Sequence, residues 1–406
     1  QGRRKWCRQR RIGRRRRGTS AGGSGAGASP ANAGNGGSPA IGSGGKGGGN
    51  GAGKGGSGGA GAGGGGSNGG ADGGVTSVSV LERNKNASRD GLFVQPGLAK
   101  ATVSKMALDA NFKANFTGDM WASPLYLENG PNGKGVFFAV TTGNDVFALD
   151  ETSGSAVWMK HLGDSPTANG VNCGNIHPLG ILSTPVIDAV SKTIYVAGAI
   201  GTNSIARHEV HALSTEDGVA RSGWPVDVSK LKAGSLQFMP PPHNQRSALS
   251  LVNGTLYVAY GGHIGDCGPY HGWVVGIDAK DPTKTGAWAT RGQGEGIWAA
   301  GGMASDGNGV FAVTGNRMPR GQPATRTTDS EQVVRITGLG QFDGDAKNFY
   351  YPETWHAMDE ADADFGSSSP LYIEVPGATP SKLVVAIAKD GHFYLLDAAN
   401  LGGVGG

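Results

Sequence analysis

The sequence predicts an all-β fold: a β-propeller of four-stranded antiparallel blades, preceded by a disordered glycine-rich tail. Three observations lead to this prediction. From about Gly118 onward, short apolar runs alternate with Gly, Asp and Asn turns, and hardly any amphipathic helical period is present. A unit of such runs recurs five times, at a spacing of roughly 50–70 residues. The glycines are unevenly placed, since 31 of the 75 precede Val75.

The first 75 residues are predicted to lie outside the folded domain. Residues 1–17 form a basic head with ten Lys and Arg side chains and no acid, and residues 18–75 are rich in Gly and Ser. We interpret 18–75 as a flexible linker, because it holds too little apolar surface to offset the entropy of ordering it. The chain opens with Gln1 rather than Met, which suggests a fragment. No apolar signal core follows the arginines, so this segment does not indicate export.

The charge of the remaining chain argues against nucleic-acid recognition. Outside the head and linker there are 24 Lys and Arg against 31 Asp and Glu, a balance of −7. The basic head is suited to sequence-independent polyanion binding, but a processing remnant or a badly defined start of the sequence is the favoured interpretation. No run of roughly 18 apolar residues is present, so the sequence predicts no membrane-spanning helix.

After an irregular lead-in at 76–117, the propeller is predicted to occupy 118–406. Units one to three each contain four apolar runs, which lie at 122–127, 135–140, 145–150 and 156–158, then at 183–188, 193–198, 209–213 and 224–226, then at 247–250, 255–260, 273–278 and 287–288. Units four and five are less complete, with runs at 309–314 and 332–336, then at 369–373, 382–387 and 392–397. The fifth blade stops before a fourth strand, so the propeller is predicted to be truncated at its C-terminus. Since one blade cannot cover both faces of its own sheet, neighbouring blades are expected to stack around an axis.

The units resemble a known family. The run 145–150, followed by Thr152, Gly154 and Trp158, is similar to the repeat of pyrroloquinoline-quinone-type β-propellers. That superfamily includes quinoprotein alcohol dehydrogenases and a non-catalytic outer-membrane assembly lipoprotein. The resemblance extends from roughly Gly118 to Asp397 and implies the fold, but it does not specify an activity. It also implies an exported bacterial protein that is periplasmic, secreted or an outer-membrane lipoprotein.

The segments that precede the innermost strands carry the richest chemistry. Aligning the units places Trp121, Leu182, Gln245, Trp298 and Ser367 at one equivalent position. In a propeller these segments open on one end of the central channel. The candidate ligand-binding residues at this mouth are Trp121, Asn175, His177, Gln245, Arg246, Trp298 and Asp364.

These residue types are what a planar, multiply anionic quinone with Ca²⁺ requires. Such a cofactor needs an aromatic platform, an arginine fork and oxygen ligands. The vicinal Cys-Cys pair of several quinoprotein alcohol dehydrogenases is absent, and large residues also fill propeller channels that bind nothing. No catalytic role is therefore assigned to any residue.

Two further groups of residues carry hypotheses. His263, Asp266 and His271 lie in one loop between the second and third strands of the third blade, and they form a candidate transition-metal site. Hydrogen-bonded loop histidines are the alternative. Cys173 and Cys267 could pair in a disulfide if the protein is exported, but the sequence alone does not show this.

Two functions remain open at the level of sequence. The first is a ligand-binding or scaffold module, without catalysis, whose mouth takes an unknown macromolecular or small-molecule partner. The alternative is a dehydrogenase of alcohols or sugars that depends on pyrroloquinoline quinone (PQQ) and calcium.

Overall fold

The structure, a computed structural model, describes residues 78–94, 100–325 and 327–405, and most of its regular elements are short strands. The predicted basic head (1–17) and linker (18–75) lie outside the described residues. The first two sheets are four-stranded and antiparallel. They contain β1 (Leu125–Leu127), β2 (Val136–Val140), β3 (Asp145–Asp150) and β4 (Ala156–His161), then β5 (Val186–Asp188), β6 (Thr193–Ile200), β7 (Arg207–Ser214) and β8 (Val226–Asp227).

The third sheet follows a short hairpin of β9 (Lys232–Ala233) and β10 (Leu236–Gln237). Two successive short strands pair with the same long strand in this sheet, which places them together as its inner edge. The strands of the sheet are β11 (His243–Asn244), β12 (Ser250–Val252), β13 (Thr255–Gly262), β14 (Trp273–Asp278) and β15 (Thr285–Ala289).

The fourth sheet is complete and the fifth has three strands. The fourth contains β16 (Ala304–Ser305), β17 (Val310–Val313), β18 (Val333–Ile336) and β19 (Phe349–Tyr351), and the fifth contains β20 (Leu371–Glu374), β21 (Lys382–Ile387) and β22 (Phe393–Asp397). The last strand, β23 (Gly403–Val404), does not complete the fifth sheet but pairs in parallel with β19. The described residues contain two short α-helices, α1 (Lys100–Val103) and α2 (Trp355–Ala361). Neither of these helices, nor any other in the described ranges, combines the length and hydrophobicity needed to cross a bilayer.

The hydrophobic core lies between consecutive sheets. Separate buried clusters join the first sheet to the second, the second to the third, the third to the fourth, and the fourth to the fifth. Leu125 and Ile194, for example, share one cluster, and Val258 and Tyr195 share another. The second, third and fourth sheets bury apolar side chains on both faces, so each of them needs a neighbour on each side. The predicted all-β propeller, with five visible blades of which the last is incomplete, is confirmed.

Tight turns allow neighbouring sheets to approach closely. Trp158 on β4 donates its indole N–H to the carbonyl of Thr215, which follows β7 in the second sheet, at 3.0 Å. Its ring lies against Gly218, where φ is +72° and a Cβ would lie 2.8 Å from the indole Cε3. Glycine at this turn therefore permits the positive φ and leaves room for the indole ring of Trp158.

A segment rich in bends and turns, residues 79–90, connects the innermost strands of all five sheets, and we call it the axial segment. Its backbone pairs with Tyr126 of β1, Ile187 of β5, Ser305 of β16 and Tyr372 of β20. The Arg89 side chain, only 3% exposed, makes the contact with the third sheet. Its guanidinium donates to the Leu249 carbonyl and the Ser250 hydroxyl, at 2.8 and 2.7 Å.

Candidate functional site

A cavity of about 440 Å³ opens where the segments before the innermost strands converge. All five sheets contribute to its wall, either through these segments or through loops between their second and third strands. The lining residues are Trp121, Gly174, Asn175, Ile176, Leu179, Asn244, Arg246, Gly262, His263, Ile264, Gly265, Asp266, Trp298, Asn316, Asp362, Asp364, Ser367 and Lys389. We call this cavity the axial mouth.

Trp298 is held in a slot of three glycines. A Cβ atom at Gly296 or Gly315 would collide with the indole ring, and one at Gly261 would lie 3.1 Å from its Cε3. The ring therefore lies directly on backbone from the third and fourth sheets, and side chains at these positions would displace it. This packing fixes the orientation of an aromatic side chain in the wall of the mouth.

A second aromatic side chain lies beside an arginine. Trp121 is 49% exposed, and the guanidinium of Arg246 lies 5.7 Å from the centroid of its ring. This is the geometry of a cation–π contact, which orders the arginine without neutralising its charge. None of the ion pairs found among the described residues involves Arg246. The guanidinium therefore remains available to an anionic group.

The acidic side chains at the mouth already have partners. Lys389 forms an ion pair with Asp364 and lies 3.6 Å from Asp362, which also pairs with Arg320 at 3.2 Å. Burial lowers the pKa of Lys389, but the hydrogen bond to Asp364 and the charges of both carboxylates outweigh burial, so that the pKa is raised. The third acid, Asp266, accepts the Tyr270 hydroxyl at 2.7 Å. A calcium ion at the mouth would therefore compete with Lys389 for the carboxylates of Asp362 and Asp364.

The histidines near the mouth are neutral and bonded to backbone. His208, His243, His263 and His271 each place a ring nitrogen within hydrogen-bond distance of a carbonyl oxygen. Burial lowers the pKa of all four, to about 4 for His208 and about 3 for His243. These contacts are consistent with hydrogen-bonded loop histidines that stabilise the loops.

The predicted transition-metal site is not assembled by this geometry. His263 and Asp266 line the mouth, but His271 does not, and its Nδ1 lies 3.0 Å from the Thr290 carbonyl. Within the described ranges, no group of three or more His, Cys, Asp or Glu side chains is arranged to hold a metal ion. The metal hypothesis for these three residues gains no geometric support.

The structure brings together five of the seven residues predicted to bind a ligand: Trp121, Asn175, Arg246, Trp298 and Asp364 all line the mouth. Gln245 is 4% exposed, does not line it, and donates its amide N–H to the Ser247 carbonyl at 2.7 Å. His177 is exposed, also lies outside the lining, and contacts the Thr167 carbonyl at 3.0 Å.

The candidates named from the sequence left out five polar residues of the mouth: Asn244, Asn316, Asp362, Ser367 and Lys389. Lys389 follows β21 and Asn316 follows β17, so both lie in loops between the second and third strands of their sheets. The same loop position in the third sheet led to His263 as a candidate. Applying that rule to every unit would have found both residues.

Three solved structures have the same fold as this chain. The quinohemoprotein alcohol dehydrogenase of Comamonas testosteroni is 16% identical with a TM-score of 0.58, and the match covers 80% of this chain and 48% of that one. A quinohemoprotein alcohol dehydrogenase of Pseudomonas putida HK5 is 16% identical with a TM-score of 0.59, covering 80% and 47%. A europium-containing methanol dehydrogenase is 16% identical with a TM-score of 0.53, covering 80% and 57%. The chain thus spans about half the length of these proteins, and no protein-family model or curated protein sequence matches it.

Proposed function

We propose that this chain, which has the quinoprotein-type β-propeller fold, is a ligand-binding module whose axial mouth takes a planar, multiply anionic aromatic molecule without catalysing its reaction. One observation carries the proposal: the mouth combines two tryptophans with a stacked arginine that has no carboxylate partner among the described ion pairs. Aromatic faces favour a planar ligand, and an arginine fork favours its carboxylates.

A quinone of the PQQ type fits this arrangement. Trp298, fixed in its glycine slot, offers a flat apolar surface, and Arg246 offers two parallel N–H donors. Lys389 keeps its ammonium charge at neutral pH and lines the mouth beside Asp362 and Asp364. When bound, such a quinone supplies two-electron redox chemistry. The residues of this chain would bind and orient it through stacking and charge-assisted hydrogen bonds.

The second candidate function is a quinone- and calcium-dependent dehydrogenase of alcohols or sugars. Two observations favour it: the fold is that of two alcohol dehydrogenases and a methanol dehydrogenase, and a carboxylate, Asp364, lines the mouth. A carboxylate can act as a general base toward an alcohol. The ion pair of Asp364 with Lys389 weakens this candidate, because an alcohol hydroxyl would have to displace the ammonium group that already occupies the carboxylate.

Binding is tested by titrating the full-length protein with PQQ in a calorimeter, with calcium or with a chelator. We expect saturable binding under both conditions, and at least about a tenfold loss of affinity in Arg246→Met, since charge-assisted hydrogen bonds contribute roughly 1.5–3 kcal/mol each. Lys160→Met, which removes an exposed cation on β4 away from the mouth, is the matched control.

Two outcomes would contradict the proposed module. If the titration gives no saturable heat, or if Arg246→Met and Lys160→Met bind PQQ with equal affinity, the mouth is not the binding site. If the PQQ-loaded protein reduces a dye in the presence of alcohols and calcium, the protein is a dehydrogenase and the non-catalytic module is wrong.

Location and partners follow as part of the same proposal. The family resemblance supports an exported protein that meets its ligand outside the cytoplasm, and a small molecule at the mouth is the favoured partner over a macromolecule. Fractionating cells that express the natural protein tests the location.

A further inference from the structure

Two loops that form adjacent walls of the axial mouth bring the two cysteines of the described residues together. Cys173 lies beside Gly174 and Asn175, which come from the segment before β5, and Cys267 follows Asp266 in the loop between β13 and β14. The loops are already joined by a backbone hydrogen bond of 3.0 Å from the Gly174 N–H to the Ile264 carbonyl.

The sulfur atoms lie on the same side of Gly265. A Cβ built on Gly265 would lie 3.8 Å from the Cys173 Sγ and 3.9 Å from the Cys267 Sγ, so both sulfurs lie within van der Waals reach of one position. The Cys267 thiol donates to the Gly265 carbonyl at 3.5 Å. Gly265 and Gly268 adopt φ values of +98° and +81°, so glycines set the turns that bring Cys267 toward Cys173. Both cysteines are half-buried and neither is engaged in a disulfide.

We propose that Cys173 and Cys267 form a disulfide bond that links two walls of the axial mouth. The reaction is thiol–disulfide exchange with a small or protein disulfide R–S–S–R. One cysteine thiolate attacks that disulfide and releases one RS⁻; the second then attacks the mixed disulfide and releases the other. The Cys173–Cys267 bond forms, the two cysteine sulfurs each lose one electron, and their two protons end on two RSH molecules.

The bond fixes the part of the wall that carries Ile264, Gly265 and Asp266. These three residues lie between the Gly174–Ile264 hydrogen bond and Cys267, and all three line the mouth. Cross-linking at both ends leaves this stretch little freedom to change the shape of the opening. The bond persists in an oxidising compartment and is reduced in the cytosol. The inference does not depend on which ligand occupies the mouth.

Mass spectrometry of the full chain with Cys7→Ser, which removes the third thiol, tests the proposal. After treatment with oxidised glutathione and alkylation, we expect the native protein to lose two hydrogen atoms, to carry no glutathione and to yield one Cys173–Cys267 cross-linked peptide. Adding Cys173→Ser or Cys267→Ser should leave one cysteine that carries a single glutathione. The same treatment in denaturant should give mixed disulfides, because folding is what brings the thiols together.

Two results would overturn the proposal. One is a native protein that takes up glutathione on both cysteines. The other is a native protein that keeps two alkylated thiols under conditions in which each single variant reacts. If either serine variant fails to fold, the native and denatured arms of the Cys7→Ser protein alone decide between these outcomes.

Discussion

Two buried glutamates, Glu295 and Glu331, adopt a backbone conformation that side chains rarely occupy. Their φ values are 53° and 51°, and both residues are 0% exposed. One oxygen of Glu331 accepts the backbone N–H of Phe365, and one oxygen of Glu295 accepts those of Gly292 and Asp329. Burial raises the pKa of Glu295 to about 7 and that of Glu331 to about 9. These side chains thus join chain segments from different sheets, and Glu331 does so as a neutral acid at neutral pH.

Glu331→Gln should change how stability depends on pH. The unfolded glutamate has a pKa of about 4.3, so the stability that Glu331 contributes is complete below that pH. It is lost as the pH rises toward the folded pKa of about 9, by up to about 1.4 kcal/mol per pH unit. Glutamine stays neutral and keeps an oxygen for the Phe365 N–H. We therefore expect the free energy of unfolding of Glu331→Gln to increase relative to that of the natural protein as the pH rises. Urea unfolding between about pH 5 and pH 9 measures this difference.

The control for this prediction is Glu331→Ala, which removes the acceptor as well as the acid. It should lower the free energy of unfolding at every pH. A difference between Glu331→Gln and the natural protein that stays constant across the pH range would contradict the prediction.

At this scale the sequence predicted residue types better than contacts. Trp298 and Arg246 could be identified because both lie just before an innermost strand and carry chemistry that suits a planar anion. Gln245 stands beside Arg246 but points inward, because neighbouring residues of an extended segment face opposite ways. The glycine slot of Trp298 could not be predicted from the sequence, because Gly261, Gly296 and Gly315 come together around the indole only when two sheets pack.

At the scale of elements, the axial segment is the feature that the sequence revealed least. Strands were predictable because short apolar runs are separated by turns that carry Gly, Asp and Asn. Residues 79–90 instead bind mostly through backbone N–H and carbonyl groups, which any sequence possesses. The prediction of an irregular lead-in at 76–117 therefore left out a segment that contacts every visible blade.

Arg89→Met should strongly destabilise the protein. The guanidinium donates to the carbonyls of Arg83, Leu249 and Met303 and forms an ion pair with Glu82 at 2.9 Å. Methionine fills similar volume but leaves these buried acceptors without donors. Removing one partner of a buried ion pair costs about 3–5 kcal/mol, and we expect a loss in that range by chemical denaturation. Lys100→Met, at an exposed position of α1, is the control. A loss within about 0.5 kcal/mol of this control would contradict an anchoring role for the axial segment.

At the scale of the whole molecule, the mouth exists only because the sheets stack around an axis. Its wall takes residues from all five visible blades, and the cores between consecutive sheets hold those blades in place. The repeat predicted this arrangement, since equivalent segments of stacked units must open on the same end. It did not predict that Lys389 pairs with Asp364. Both residues flank strands of the fifth sheet, but the strand pattern does not set the conformations of the loops that carry them.

The contact between Trp158 and Gly218 offers a direct measure of this packing. Trp158→Ala should cost roughly 2–4 kcal/mol, somewhat less than a fully buried tryptophan, because it removes the contact with Phe138 and the hydrogen bond to Thr215. Gly218→Ala should also destabilise, through its φ of +72° and through collision with the indole. If the indole causes part of that cost, Gly218→Ala should cost less in the Trp158→Ala background. We expect a coupling energy of about 1 kcal/mol in a double-mutant cycle measured by chemical denaturation.

Gly254→Ala separates the two causes, because Gly254 has a φ of +77° but no atom within 4 Å of the added Cβ. It should report the cost of backbone strain alone, and that cost should be the same with and without Trp158. Equal costs for Gly218→Ala in both backgrounds, within about 0.3 kcal/mol, would mean that the tryptophan does not clamp the first sheet to the second. The close approach of these two sheets, on which the shape of the mouth depends, would then need another cause.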